Sequence, residues 1–289
     1  MLNPAVAGSY SYWNVKMGYR KQWVGMEGAP RTMFVSLHGA INHPEEFRTR
    51  RRVHKPHHGV GGYIFSDKTG PISYNGAFFS YAYHIKMNRH VTFSIGSYAG
   101  LKEFRLNADE LYFVETPDDD MVPEGISSTI IPDANFGFWM YSDDFFVGAS
   151  IHQLLQSSLK IDNPLDEENA GMLFNHYFLS AGVKLKFSHE WSFVPSIMVK
   201  HVSPAPTQVD INGAFMYKDI WWVGMSYRHL DALAIVAEYD INDTWEIGAA
   251  IDLTTFSKLR HFNYGTYEVI LGYRWGGPKK KLTCPAKFW

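Results

Sequence analysis

From Tyr12 to Arg20 the chain changes character at every step. Trp13, Val15, Met17 and Tyr19 fall on one side, and Asn14, Lys16, Gly18 and Arg20 on the other. A period of two with such segregation is the mark of a β-strand lying between an apolar and a polar environment. The pattern returns at Tyr177, Leu179, Ala181, Val183, Leu185 and Phe187, set against Ser180, Gly182, Lys184 and Lys186. It returns again at Trp221/Val223/Met225/Tyr227, at Trp245/Ile247/Ala249/Ile251/Leu253 and at Tyr267/Val269/Leu271/Tyr273/Trp275. Fourteen segments can be read this way: 12–20, 31–41, 58–66, 74–85, 90–104, 132–141, 145–155, 176–187, 191–202, 207–217, 220–228, 233–240, 245–253 and 266–275. No helical stretch competes with them.

Alternation alone does not say which face points outward. A soluble sandwich or propeller turns its apolar face in, and a membrane barrel turns it out. Two features favour the barrel. Aromatic residues begin or end many apolar faces (Trp13, Tyr19, Trp191, Trp221, Tyr227, Trp245, Tyr267 and Trp275), where an amphipathic ring suits a membrane–water interface. The connections also alternate in length. With both termini on the periplasmic side, 86–89, 142–144, 188–190, 218–219 and 241–244 are tight inner turns, and 105–131, 156–175 and 254–265 are long outer loops. The inner connection 42–57 is long and breaks the rule. No run approaches the length of a membrane helix, but a barrel strand needs only about 9–11 residues with one apolar face. The expected fold is therefore all-β, a transmembrane outer-membrane antiparallel β-barrel of about fourteen strands over residues 1–275, with a periplasmic tail at 276–289. Export would require removal of a signal peptide ahead of these residues.

Beyond the strands, the chain resembles a known family. The opening Asn3-Pro4-Ala5-Val6-Ala7-Gly8 and the run Tyr19-Arg20-Lys21-Gln22-Trp23 resemble the PorP/SprF family of type IX secretion. So do Gly25 with Gly28-Ala29-Pro30-Arg31, Gly59–Gly62, and Asp67-Lys68-Thr69-Gly70-Pro71. Val209-Asp210-Ile211-Asn212, Ser226-Tyr227-Arg228, Tyr267-Glu268-Val269 and the tail Cys284-Pro285 extend the likeness over nearly the whole chain. The resemblance implies an outer-membrane barrel in the gliding or surface-secretion systems of Bacteroidetes-type bacteria. It further implies a partner: a secreted cargo protein, often a large adhesin, engaged through its carboxy-terminal secretion domain.

Several features invite a functional reading. From Leu106 to Leu159 there is no Lys or Arg, while Asp109, Glu110, Glu115, Asp118, Asp119, Asp120, Glu124, Asp133, Asp143 and Asp144 all occur; Asp162, Asp166, Glu167 and Glu168 follow. Such carboxylates make an outer landing surface for a basic partner, or simply a solvated loop. No cofactor is expected. Calcium is the ion these oxygens would suit, but Asp118-Asp119-Asp120 lacks the Gly turn and distal Glu of a calcium loop.

On the inner side Arg48, Arg50, Arg51, Arg52, Lys55 and Lys279-Lys280-Lys281 would face anionic lipid or a periplasmic secretion-system subunit. No nucleic-acid recognition motif accompanies them, and net charge is only −2. His43, His54, His57 and His58 are close in sequence, but they fit no zinc spacing and the neighbouring arginines would repel a cation. A single cysteine, Cys284, rules out an intramolecular disulfide.

Lys16, Arg20, His84, His152, Lys184, Lys186, Lys200, Asp210, Asn212, Arg228, Glu238, Glu246, Asp252, Glu268 and Arg274 are expected in the lumen, where mixed signs favour pairing over an ion pathway. Phe78, Phe178 and Trp222 share that face and point to a partly filled interior. Neither a Gly-x-Ser-x-Gly elbow nor a His-Glu-x-x-His helix occurs, so the chain is read as a non-enzyme, with a barrel hydrolase as the last-ranked alternative. The favoured function is a docking barrel. Its candidate partner-binding residues are Tyr19, Arg20, Lys21, Gln22 and Trp23 in the first outer hairpin, with Asp118, Asp119, Asp120, Asp166, Glu167 and Glu168 in the acidic loops. A solute channel is the alternative.

Overall fold

The computed structural model describes residues 2–41, 56–111, 125–159, 171–229, 231–253 and 261–276. Fourteen antiparallel strands, each bonded to its sequence neighbours, form the wall: β1 (Trp13–Lys21), β2 (Arg31–Ile41), β3 (His57–Thr69), β4 (Ile72–Lys86), β5 (Thr92–Asn107), β6 (Ile126–Tyr141), β7 (Phe145–His152), β8 (His176–Val183), β9 (Trp191–Val202), β10 (Gln208–Tyr217), β11 (Trp221–Arg228), β12 (Leu233–Asp240), β13 (Trp245–Leu253) and β14 (Thr266–Trp275). β1 pairs with β14 from Trp13↔Trp275 to Lys21↔Tyr267, which closes the barrel and leaves no sheet edge at this point. Both ends of the strand series lie at one mouth, called here the terminal mouth. Closure settles the question that alternation left open. Met17, Met33, Ile64, Phe79, Leu101, Leu179, Ile211, Val223 and Val269 are exposed on the outside, while Asn14, Ser36, His84, Ser94, Asp210, Asn212 and Glu246 are buried inside. A continuous apolar outer surface over a polar interior is the arrangement of a membrane barrel.

Aromatic pairs ring the terminal mouth. Trp191 packs on Tyr217 at 4.7 Å between centroids, Trp221 on Tyr239 at 4.2 Å, Trp245 on Tyr273 at 4.8 Å and Trp13 on Trp275 at 5.9 Å. Tyr19, Tyr177 and Tyr267 stand near the opposite ends of their strands. The two rings are spaced as interfacial girdles.

Strand boundaries depart from the sequence reading mainly away from the terminal mouth. β3 runs on to Thr69, β5 to Asn107, and β6 begins at Ile126, so the connection expected at 105–131 is shorter at both ends. The alternation weakens there: Ser127 and Ser128 adjoin, as do Ile130 and Ile131, although the ladder continues through all of them. β8 breaks at Lys184, whose amide bonds the Asp144 carbonyl of the neighbouring turn at 2.6 Å, and resumes for Leu185–Lys186. Two single-turn 3-10 helices occur at Pro4–Val6 and Ala108–Glu110, and a two-residue ladder joins Ser158–Leu159 to Gly171–Met172.

Candidate functional site: a sealed lumen and its rim

Ahead of β1, residues 2–12 turn into the barrel and cross the inner wall from β2 to β7. The segment forms no ladder with the wall. It is held instead by side chains that reach its backbone. The Leu2 carbonyl accepts from Ser150 Oγ at 2.6 Å and His152 Nε2 at 2.7 Å, the Ala5 carbonyl from Ser94 Oγ at 2.7 Å, the Ala7 carbonyl from His84 Nε2 at 2.7 Å, and the Gly8 carbonyl from His57 Nε2 at 3.1 Å. The Gly8 amide donates to His38 Nδ1 at 3.4 Å. A carbonyl only accepts, so His152, His84 and His57 must each carry a proton on Nε2. In neutral His84 the other nitrogen, Nδ1, is then free to accept from Tyr141 Oη, 3.2 Å away. The rings of His57 and His84 stack at 4.3 Å.

The wall has been cleared to let the segment lie close. Asn3 donates through Nδ2 to the carbonyls of Phe138 at 2.9 Å and Ala149 at 3.2 Å, while its Oδ1 accepts the Ala5 amide at 2.9 Å and caps the Pro4–Val6 turn. A Cβ on Gly96 would stand 2.8 Å from Ala5 Cα, one on Gly148 would stand 3.0 Å from Asn3 Nδ2, and Cβ atoms on Gly59 and Gly137 would overlap the Ala7 carbonyl and Asn3 Oδ1. Gly8 turns the chain at φ +80, a conformation glycine takes without steric cost. Ala5 and Tyr10 then join Trp139, Tyr141, Phe146, Val194, Ala214, Met216 and Trp222 in a buried apolar cluster.

The other side of the lumen is built from charge. Asp252 accepts from Arg20 at 2.7 Å and Arg228 at 2.8 Å, and Arg20 also reaches Glu268 at 3.2 Å. Lys16 lies 3.1 Å from Glu246 and 3.8 Å from Glu238; Arg274 bonds Asp240 at 2.9 Å and contacts Glu246. Lys200 pairs with Asp210 at 2.6 Å. Glu238, Asp240 and Glu246 converge closely enough to share a cation, but Lys16 and Arg274 are seated among them and set two positive charges against their three negative ones. A cavity of about 400 Å³ remains between this network and the segment, lined by Asn14, Lys16, Arg20, Lys200, Asp210 and Leu2 among others.

At the rim opposite the terminal mouth, the 22–30 and 261–265 loops support each other. Val24 donates to Gly265 O at 2.9 Å and accepts from the Tyr264 amide at 2.7 Å; the Trp23 amide donates to Thr266 Oγ1 at 3.2 Å; the Gly70 amide donates to Gly28 O at 2.9 Å. Phe262 and Tyr264 are 70% and 79% exposed there, the most solvent-open aromatic pair on the rim among the described residues.

The expected site residues scatter across these environments. Tyr19 faces the membrane, Arg20 faces the lumen and is held by two carboxylates, and only Lys21, Gln22 and Trp23 reach the rim. Asp118, Asp119, Asp120, Asp166, Glu167, Glu168, the Arg48–Lys55 cluster, His43, His54, the lysines at 279–281 and Cys284 lie outside the described residues. Three of the acidic assignments need correction. Asp133 is no loop carboxylate: it is buried on β6 and paired with Lys102 at 3.3 Å. Asp143 and Asp144 occupy a turn at the terminal mouth, opposite the rim. Lys186 is exposed at that mouth, bound to Asp144 at 2.6 Å, rather than lumenal. His58 points outward to Tyr81 while His57 points inward, so the two do not share a site. The amino-terminal seal is the feature that sequence reasoning missed. Its signal was glycine and histidine recurring on the polar faces of β2 to β7.

A family model described as type IX secretion system membrane protein PorP/SprF matches residues 1–273. No curated protein sequence matches significantly. Among solved structures, the Pseudomonas putida toluene transporter TodX aligns with a TM-score of 0.50 and 11% identity, covering 94% of this chain and 91% of that one. The translocator domain of the autotransporter NalP from Neisseria meningitidis aligns with a TM-score of 0.47 and 8% identity, over 92% and 89%. At such identity the likeness to TodX speaks to the outer-membrane barrel fold alone.

Proposed function

The chain belongs to the PorP/SprF family of type IX secretion system membrane proteins, and from that premise we propose that it docks a secreted, adhesin-like cargo protein by its carboxy-terminal β-domain at the outer membrane. In this reading the protein has been exported with its signal peptide removed, the terminal mouth faces the periplasm and any secretion-system subunit there, and the rim faces the cell surface. Gliding or surface display would be the process served. The observation that carries the reading is the lumen: a strapped segment on one side and a paired charge network on the other fill it around a cavity of about 400 Å³. What is presented outward is the paired rim of 22–30 and 261–265, with Phe262 and Tyr264 as apolar contacts. Aromatic residues in a supported, polar-edged surface are what protein interfaces favour. No bond is made or broken, so no catalytic group is assigned.

Purification from the native host in mild detergent, followed by mass spectrometry, tests this. A secreted protein with a terminal β-domain, retained in stoichiometric amount and lost on Phe262→Ser with Tyr264→Ser, is the expected result. A barrel recovered alone would overturn it. The second reading, a solute channel, rests on the cavity of about 400 Å³ and predicts steady conductance in planar bilayers.

A further inference from the structure

We propose that the lumenal wall from β3 to β7 is a peptide-binding groove, selective for a short extended segment of small uncharged residues, and that residues 2–8 are its tethered occupant. Three independent observations meet there. First, recognition is by backbone. Four carbonyls of the segment are bound by Ser and His side chains from four strands, so a carbonyl-presenting peptide is what the wall reads. Second, the wall excludes larger occupants. Gly59, Gly96 and Gly137 lie on three different strands, yet each is needed at the spot where Ala7, Ala5 or Asn3 comes against the sheet. Glycine weakens a strand interior, and at these three positions a side chain would collide with the segment's backbone or with Asn3. Third, selectivity has an anchor: Asn3 meets two wall carbonyls and its own turn at once, which no apolar residue at that position could do.

The occupant is held like a ligand rather than like a strand. It contributes no ladder hydrogen bond to the sheet, carries no charge, and is joined to β1 only through residues 9–12 after the Gly8 turn. The closed wall, by contrast, is bonded strand to strand through β3–β7 without it. A groove of this kind accepts its peptide whether or not the peptide is covalently attached. The proposal does not rest on the docking reading: it concerns what the lumenal wall binds, and its test reads peptide binding rather than cargo retention.

The test uses a labelled peptide of the sequence Leu2–Tyr10 added to detergent-solubilised protein. A barrel lacking residues 2–8 should bind it saturably. The full chain, its groove already filled, should bind at least about tenfold more weakly, and Gly96→Leu in the shortened barrel should abolish binding. A shortened barrel that keeps heat-modifiable migration yet binds no better than the full chain would overturn the proposal. Should the deletion prevent folding, the full chain carrying Gly96→Leu is compared with the unaltered protein by hydrogen exchange. Protection of the amides of residues 5–9 should fall about tenfold while that of β13 and β14 is kept. Unchanged protection of the segment would overturn the proposal equally.

Discussion

The two sides of the lumen face the same problem with different means. Both must fill a polar interior wide enough to admit water. Around β2 to β7 the wall is nearly free of acidic and basic residues and takes up a piece of backbone, satisfying it with histidine and serine donors. From β9 round to β1 the wall fills itself with long charged side chains that neutralise one another. The difference lies in where the hydrogen bonds come from. A peptide brings its own acceptors and can leave with them, so its departure exposes donors that water can satisfy. An ion network has no removable part: take one member away and a charge is stranded in a poorly solvated place.

That contrast orders the expected effects of substitution. The largest is Asp252→Asn, which leaves Arg20 and Arg228 without their shared carboxylate. Breaking a buried pair costs about 3–5 kcal/mol, so the urea midpoint of the detergent-solubilised barrel should fall steeply; a shift no larger than that of a surface substitution would break the comparison. Lys102→Met comes next. It strands Asp133, whose ion-pair partner among the described residues is Lys102. If burial rather than membership of a network sets the cost, the loss is near the lower end, about 3 kcal/mol, by the same measurement. His84→Phe removes the donor to Ala7 O and the acceptor of Tyr141 Oη. A loss of about 1–3 kcal/mol is expected, with raised hydrogen exchange confined to the segment and its wall. An equal rise in β12 to β14 would show that the two sides are not separable.

The smallest effect belongs to the exposed pair of Lys68 and Glu110 beyond the strand ends. The Lys68 hydrogen bond holds Glu110 below the usual carboxylate range. Since the folded value is the lower one, the pair's contribution is present above the ordinary glutamate range and is lost as pH falls through the lowered value. An NMR titration should show that low transition, while Lys68→Ala leaves unfolding unmoved within error. The pair serves as a control that depth, not charge, makes the network costly to break.

The strands were legible because period two survives any loop length, and because Trp and Tyr at strand ends mark the interfaces. The direction of the faces was not legible from alternation, which reads the same for a sandwich and a barrel; connection lengths decided it. The charged side of the lumen could be named residue by residue, since Lys16, Arg20, Arg228, Glu246 and Asp252 sit on polar faces with no other place to go. Arg20 shows the limit of motif reading. Gln22 and Trp23 lie past the end of β1 and reach the rim, yet Arg20, still within the strand, faces the lumen. The seal was hidden for a different reason. Asn3-Pro4-Ala5-Val6-Ala7-Gly8 has no periodicity and no chemistry of its own, and its partners lie as far as 150 positions along the chain. The glycines that admit it read, one at a time, as ordinary weak points in strands.

The pairing of β1 with β14 has a consequence for assembly. Before those two strands meet, the sheet is open and its two edges carry complementary charge: Lys16 and Arg20 on the first strand, Glu238, Glu246, Asp252 and Glu268 on the last three. Arg274 on the last strand takes up part of that negative charge through Asp240 and Glu246, but the carboxylates there remain in excess until the cations of the first strand arrive. Attraction between them draws the sheet round, and only the correct register of the seam brings each cation to its carboxylate. A slip by one residue would turn Lys16 and Arg20 toward hydrocarbon. The electrostatic network is thus a proofreading device for closure, and the membrane is the solvent that makes errors in it expensive.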